Sequence, residues 1–119
     1  MNAVGTHNFL SDFIGSISAL KELSKLPVGL KVSMIEAIEE LEAAGTDLKE
    51  PKVRDIGNGL KELRVSASEG IARGFFFFAV GQQFYVVHIL QKKTQKTPKK
   101  SLDLANQRMQ EVKRSLKNV

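Results

Sequence analysis

The side chains that could do chemistry gather in the second half of this 119-residue chain. Residues 88–100 read HILQKKTQKTPKK, an apolar run that passes into five lysines in nine residues: Lys92, Lys93, Lys96, Lys99 and Lys100. Upstream stand Arg64 and Arg73, the latter set between Gly70-Ile71-Ala72 and Gly74-Phe75, a charge in apolar surroundings. Guanidinium offers parallel N–H donors that match phosphate oxygens and ammonium offers a point charge, so the set suits a phosphate-bearing substrate. Arg73 has a structural reading as well, a pair with Glu62 or Glu69. His88 sits between apolar neighbours and reads either as a hydrogen-bonded core histidine or, with Lys92 and Lys93 close in sequence, as an acid or base.

Other chemistries lack their residues. The chain has no cysteine, which removes thiol catalysis, disulfides and thiolate zinc sites, and His7 and His88 lie too far apart in sequence to suggest a metal pair. There is no nucleophile elbow, no GxxxxGK[ST] loop and no HExxH, and glycines 57, 59, 70, 74 and 81 are spaced as turns and strand irregularities. Residues 60–119 hold only Glu62, Glu69, Asp103 and Glu111 as carboxylates, too few for a two-metal nuclease centre. No cofactor and no metal are expected. Charge is segregated: residues 1–59 carry six Lys+Arg against nine Asp+Glu, and residues 60–119 carry twelve against four. Such a basic half is the footprint of a polyanion binder, usually nucleic acid, although a lysine-rich surface also serves solubility alone. No window of eighteen apolar residues and no export signal is evident, so a cytoplasmic protein without membrane contact is expected.

Hydrophobic periodicity supplies the scaffold for these groups. Leu10, Phe13, Ile14, Ile17 and Leu20 recur at helical spacing, with Asn8 or Ser11 as caps, and Pro27 ends the pattern; the spacing predicts a helix over about 8–24. Leu30, Met34, Ile38 and Leu41 predict a second over about 28–44, stopped by Ala44-Gly45, with Glu36, Glu39, Glu40 and Glu42 mostly off its apolar face. Turn residues dominate from Gly45 to Gly59. The period then changes to short β-branched and aromatic runs at Leu60–Val65, Ile71–Val80 and Phe84–Leu90, which predict a three-stranded antiparallel meander. Phe75, Phe76, Phe77 and Phe78 point alternately to both faces, so the middle strand must be central. Leu102, Ala105, Met109, Val112 and Leu116 mark a last helix from Ser101 to about Lys117, with Arg108, Lys113, Arg114 and Lys117 elsewhere on its surface. The order of elements gives a single α+β domain, 1–119, with helices packed on a small sheet.

With these elements in place, Gly59-Leu60-Lys61-Glu62-Leu63-Arg64, Ala72-Arg73, Val87-His88-Ile89-Leu90 and Lys92-Lys93-Thr94-Gln95-Lys96-Thr97-Pro98 together resemble the phage-derived, HigB-like toxins of the RelE/ParE type II toxin–antitoxin superfamily. The resemblance covers about residues 28–117, and KKTQKTP is its most specific segment. It implies a RelE-like fold and a toxin that cleaves mRNA on the translating ribosome, silenced by a cognate antitoxin, of helix-turn-helix HigA-like type. Position by position it also implies that Arg64, Arg73, Lys92, Lys93 and Lys96 form the substrate-binding and catalytic surface; the sequence itself adds His88 as the candidate catalytic acid or base, and Lys61, Lys99 and Lys100 as further cations for RNA. Three features depart from the pattern. The family's short N-terminal strand is not evident in Met1–His7, its tyrosine after the second-strand arginine is Phe76 here, and the aromatic before the lysines is Leu90. The expected mechanism is metal-independent attack of a ribose 2′-hydroxyl on the adjacent phosphate, with the cations stabilising the developing charge. The alternatives are a gyrase-poisoning member of the superfamily and a binding module without turnover. The acidic helix around Glu36–Glu42 and the apolar helix faces are candidate antitoxin contacts.

Overall fold

A computed structural model of the chain describes residues 13–80, 83–92 and 96–117. Its frame is a four-stranded antiparallel sheet in the order β1 (Val53–Gly57), β2 (Leu60–Ala67), β3 (Gly70–Phe78) and β4 (Phe84–Lys92). The three expected strands form the meander, and the run of phenylalanines places β3 inside it: Phe75, Phe76 and Phe77 are buried. Each such ring contributes about 1.5–3 kcal/mol when removed from water, more than an edge position could recover. Phe76 packs with Leu63, Val65, Ala72, Phe84, Val86 and Ile89 on one face of the sheet. Phe75 and Phe77 pack with Leu60 and Val87 on the other.

A helix covers each face. α2, Val28–Ala44, begins and ends where the sequence pattern placed it, and lays Leu30, Met34, Ile38 and Leu41 on the first face. Gly74 lets it come close, because a Cβ there would stand 3.2 Å from the Met34 sulfur. Pro27 provides no side-chain cap for α2; Glu69, in the β2–β3 turn, accepts the Gly29 amide at 2.9 Å instead. α3, Lys99–Lys117, buries Ala105 and Met109 against the second face, with Leu102 and Val112 beside them.

Two expectations need correction. The stretch from Gly45 to Gly59 is not all turn: Val53–Gly57 forms the edge strand β1, paired with β2 through Val53↔Leu63 and Arg54↔Glu62. Asn58 and Gly59 both have positive φ, 59° and 87°, the geometry of a two-residue hairpin whose twist suits the strands on either side. The first helix also does not run unbroken through 14–16. Ser16 is extended at φ −157°, its hydroxyl accepts the Ala19 amide at 3.0 Å, and α1 spans only Ile17–Ser24. Just before it Ile14 bridges Val86 in parallel and the Gly15 amide donates to the Val86 carbonyl at 2.7 Å, so the chain leans on the free edge of β4. A side chain at Gly15 would crowd Val112, Val87 and Tyr85 at 3.2–3.3 Å, so only glycine passes there without displacing them. The part of the expected helix at 8–12, with its caps Asn8 and Ser11, lies outside the described residues, as does Met1–His7. Among the described residues no helix is long and apolar enough to cross a membrane.

Candidate functional site

Strand register builds the site. Arg64 pairs with Arg73, Arg73 with Leu90, Ile71 with Lys92, and Arg54 with Glu62, which in turn faces Phe75. Directly paired residues project to the same face, so Arg54, Glu62, Arg64, Arg73 and Lys92 share the α3 side of the sheet. Two arginines opposite each other on neighbouring strands repel, and a nearby anion relieves that cost. Glu62 supplies one within the chain. Its Oε2 accepts from Arg73 Nη1 at 2.6 Å, with both side chains buried, and Thr97 Oγ1 lies 3.3 Å from each partner. The pairing left open between Glu62 and Glu69 therefore falls to Glu62, because Glu69 is occupied with the α2 amide.

The remaining cations are graded in exposure. Arg54 and Arg64 reach solvent, whereas Arg73 is 5% and Lys92 9% exposed. Arg73 Nε and Lys92 Nζ are buried donors with no hydrogen-bond partner among the described residues. Removal from water holds the Lys92 ammonium below its ordinary pKa, and the charges of Arg73, Arg64 and Arg54 push the same way, while Glu62 opposes them. The set can therefore stabilise charge on a phosphoryl group and, through Lys92, exchange a proton more readily than an ordinary lysine.

The other expected site residues are placed unevenly. His88 lies on the same face, its ring stacked on Phe75 with centroids 5.8 Å apart, yet its Nδ1 stands 3.0 Å from Glu22 Oε1 on α1. A carboxylate only accepts, so the contact sets the proton on Nδ1. Glu22 also accepts from the Ile89 amide at 3.0 Å and from Arg108 Nη1 at 2.9 and 3.0 Å, and Arg108 reaches the Val87 carbonyl at 3.0 Å. Arg108, read from the sequence as a surface residue of α3, is instead a strut that joins α3 to β4 and α1. Burial alone would raise the Glu22 carboxyl; the bonds from His88, Ile89 and Arg108 outweigh it and hold its pKa below the usual value.

Lys61 projects to the α2 face, opposite Asp55 and beside Lys49 and Phe78, away from Arg64 and Arg73. Lys96, Lys99 and Lys100 are exposed where the chain enters α3, and Lys99 pairs with Asp103 at 2.8 Å, a bond that raises its pKa. Lys93 lies outside the described residues. Sequence reasoning missed Arg54, because it missed β1, and Thr97, whose hydroxyl joins the Arg73–Glu62 pair. The Asn58-Gly59 dipeptide between Val53-Arg54-Asp55-Ile56 and Leu60 was the available signal for both the hairpin and Arg54. Among the described residues no three His, Asp or Glu side chains stand close enough to hold a metal ion.

No curated protein matches the chain. A family model does, over residues 21–110, a span that runs from α1 into α3 and contains Arg54, Glu62, Arg64, Arg73, His88, Lys92 and Thr97. By that match the chain belongs to the phage-derived protein Gp49-like family (DUF891), a family of the RelE/HigB-like toxin type.

Proposed function

We propose that this chain is the toxin of a type II toxin–antitoxin pair and acts as a ribosome-dependent mRNA endoribonuclease of the HigB kind. The observation that carries the reading is the pair of buried donors, Arg73 Nε and Lys92 Nζ, which no described residue satisfies, set on a sheet face with Arg54 and Arg64 at its surface. Family membership supports the toxin half of the proposal. A ribose 2′-oxygen attacks the neighbouring phosphorus as its proton leaves, the bond to the 5′-oxygen breaks, and that oxygen takes up a proton. The products are a 2′,3′-cyclic phosphate and a 5′-hydroxyl. Arg73 and Arg64 neutralise charge gathering on the phosphoryl oxygens, and Lys92, with its lowered pKa, serves one proton transfer. His88, already bonded to Glu22, orients the end of β4 that carries Lys92. The ribosome would add the positioning of the mRNA, a contribution separate from the charge that these residues supply. A cognate antitoxin of helix-turn-helix type is the partner that silences it.

The test is induced expression in bacteria without the antitoxin, with RNA 5′ ends mapped before and after induction. New 5′-hydroxyl ends within translated frames are expected, and Lys92→Met, which removes only the desolvated charge, is expected to abolish them in a folded protein. Arrested growth with intact mRNA and altered DNA supercoiling would replace this reading with gyrase poisoning. RNA binding without new ends, on ribosomes as well as off them, would reduce the face to a binding module.

A further inference from the structure

The outer surfaces of α1 and α2 carry an apolar strip on the side of the sheet away from Arg64 and Lys92. Ile17 (74% exposed), Leu20 (42%), Val28 (74%) and Val32 (50%) are four of the six exposed large apolar side chains among the described residues. Leu20 also lines a groove of about 410 Å³ between the two helices, together with Lys21, Leu23 and Ser24 of α1 and Lys31 and Ile35 of α2. Along α2 the helical repeat sets Val28, Val32 and Ile35 on one face and continues it with Glu39 and Glu42. The patch therefore has an apolar middle, a basic end at Lys21, Lys25 and Lys31, and an acidic end at Glu39 and Glu42. None of these five charged side chains forms an ion pair within the chain among the described residues.

The charge order of α2 is unfavourable for a helix on its own. It has no acid in its first turn and no base in its last, and its carboxylates crowd toward the C-terminal half, where the helix dipole is already negative. An antiparallel neighbour with the same order removes both faults, since its basic end meets the acidic end of the first and the two dipoles oppose. A helix of that description is α2 of a second copy, and a two-fold contact must be self-complementary in this way.

We propose that the α1/α2 face is a two-fold self-association surface, with α2 antiparallel to α2 of a second copy, Ile35 at the axis and Lys31 facing Glu39 across it. The contact leaves both cationic sheet faces open, and it does not depend on the RNA-cleavage reading. Sedimentation equilibrium of the full chain at increasing concentration and salt tests it. A monomer–dimer equilibrium that weakens with salt is expected, and each of Val32→Glu, Lys31→Glu and Glu39→Lys should raise the dissociation constant about tenfold or more. All three residues are accessible, so circular dichroism of each variant should match the parent. An equimolar mixture of Lys31→Glu and Glu39→Lys chains should dimerise again, because both cross-axis pairs then join opposite charges. A chain that stays monomeric at every concentration, as it would if the face served only an antitoxin helix, overturns the proposal. So does a dimer indifferent to Val32→Glu, or a mixture that fails to re-associate.

Discussion

Arg73 can serve structure and substrate at once because its two ends differ. Nη1 is committed to Glu62 at 2.6 Å, while Nε has no hydrogen-bond partner among the described residues. Removing one member of a buried pair strands the other, so Arg73→Ala is expected to cost about 3–5 kcal/mol of stability. Replacing both, Arg73→Met with Glu62→Met, should cost far less, since neither charge is then left in the core. Urea unfolding of the two single variants and the double variant measures this coupling. A lost toxic phenotype in Arg73→Ala could reflect misfolding, whereas loss in a stable double variant would reflect missing charge at the proposed site. The apolar flanks of Arg73 marked it in the sequence as an unusual charge. Which carboxylate it would meet was not legible, because that choice depends on strand register and on Glu69 being drawn away to cap α2.

At the scale of elements, Glu22 is the side chain on which the packing turns. From α1 it reaches the edge of β4 through the Ile89 amide and His88, and α3 through Arg108. Glu22→Gln weakens these charge-assisted bonds and should cost about 1.5–3 kcal/mol at neutral pH. The sign of its pH dependence follows from the lowered pKa: the stabilisation is fully present above the unfolded value of 4.5 and is lost as pH falls through the lower folded value. The stability gap between parent and Glu22→Gln should therefore close on acidification below that point, as read by denaturant unfolding across pH. A gap independent of pH would mean that packing, not charge, makes the tie. The sequence pattern placed α2, β2, β3, β4 and α3 correctly because each has a strong period and a clear stop. It missed β1, whose five residues bury only Val53 fully, and it ran α1 past Ser16 because apolar spacing alone cannot reveal that Ile14 bonds to a strand 72 positions later.

For the molecule as a whole, the segregation of charge along the chain becomes a segregation across the sheet. Arg54, Arg64, Arg73 and Lys92 stand on the α3 side, while the acidic stretch of α2 lies over the other. On the proposed RNA-cleavage reading, neutralising three or four phosphates of a single strand predicts a slope of about −2 to −3 for the logarithm of RNA affinity against that of salt concentration. Arg54→Ser should lower the steepness by about 0.7, and Lys61→Ser, on the far face, should leave it unchanged; filter binding with a short single-stranded RNA reads both. By itself the sequence determined the α+β class, the central place of β3 and the basic character of the second half, since these depend on local periodicity, burial and composition. The tertiary structure decided which cations meet. Antiparallel register set Arg64 against Arg73 and brought in Arg54, sent Lys61 to the opposite face, and gave His88 to Glu22, because the side of a sheet on which a residue emerges changes with a shift of one residue in pairing.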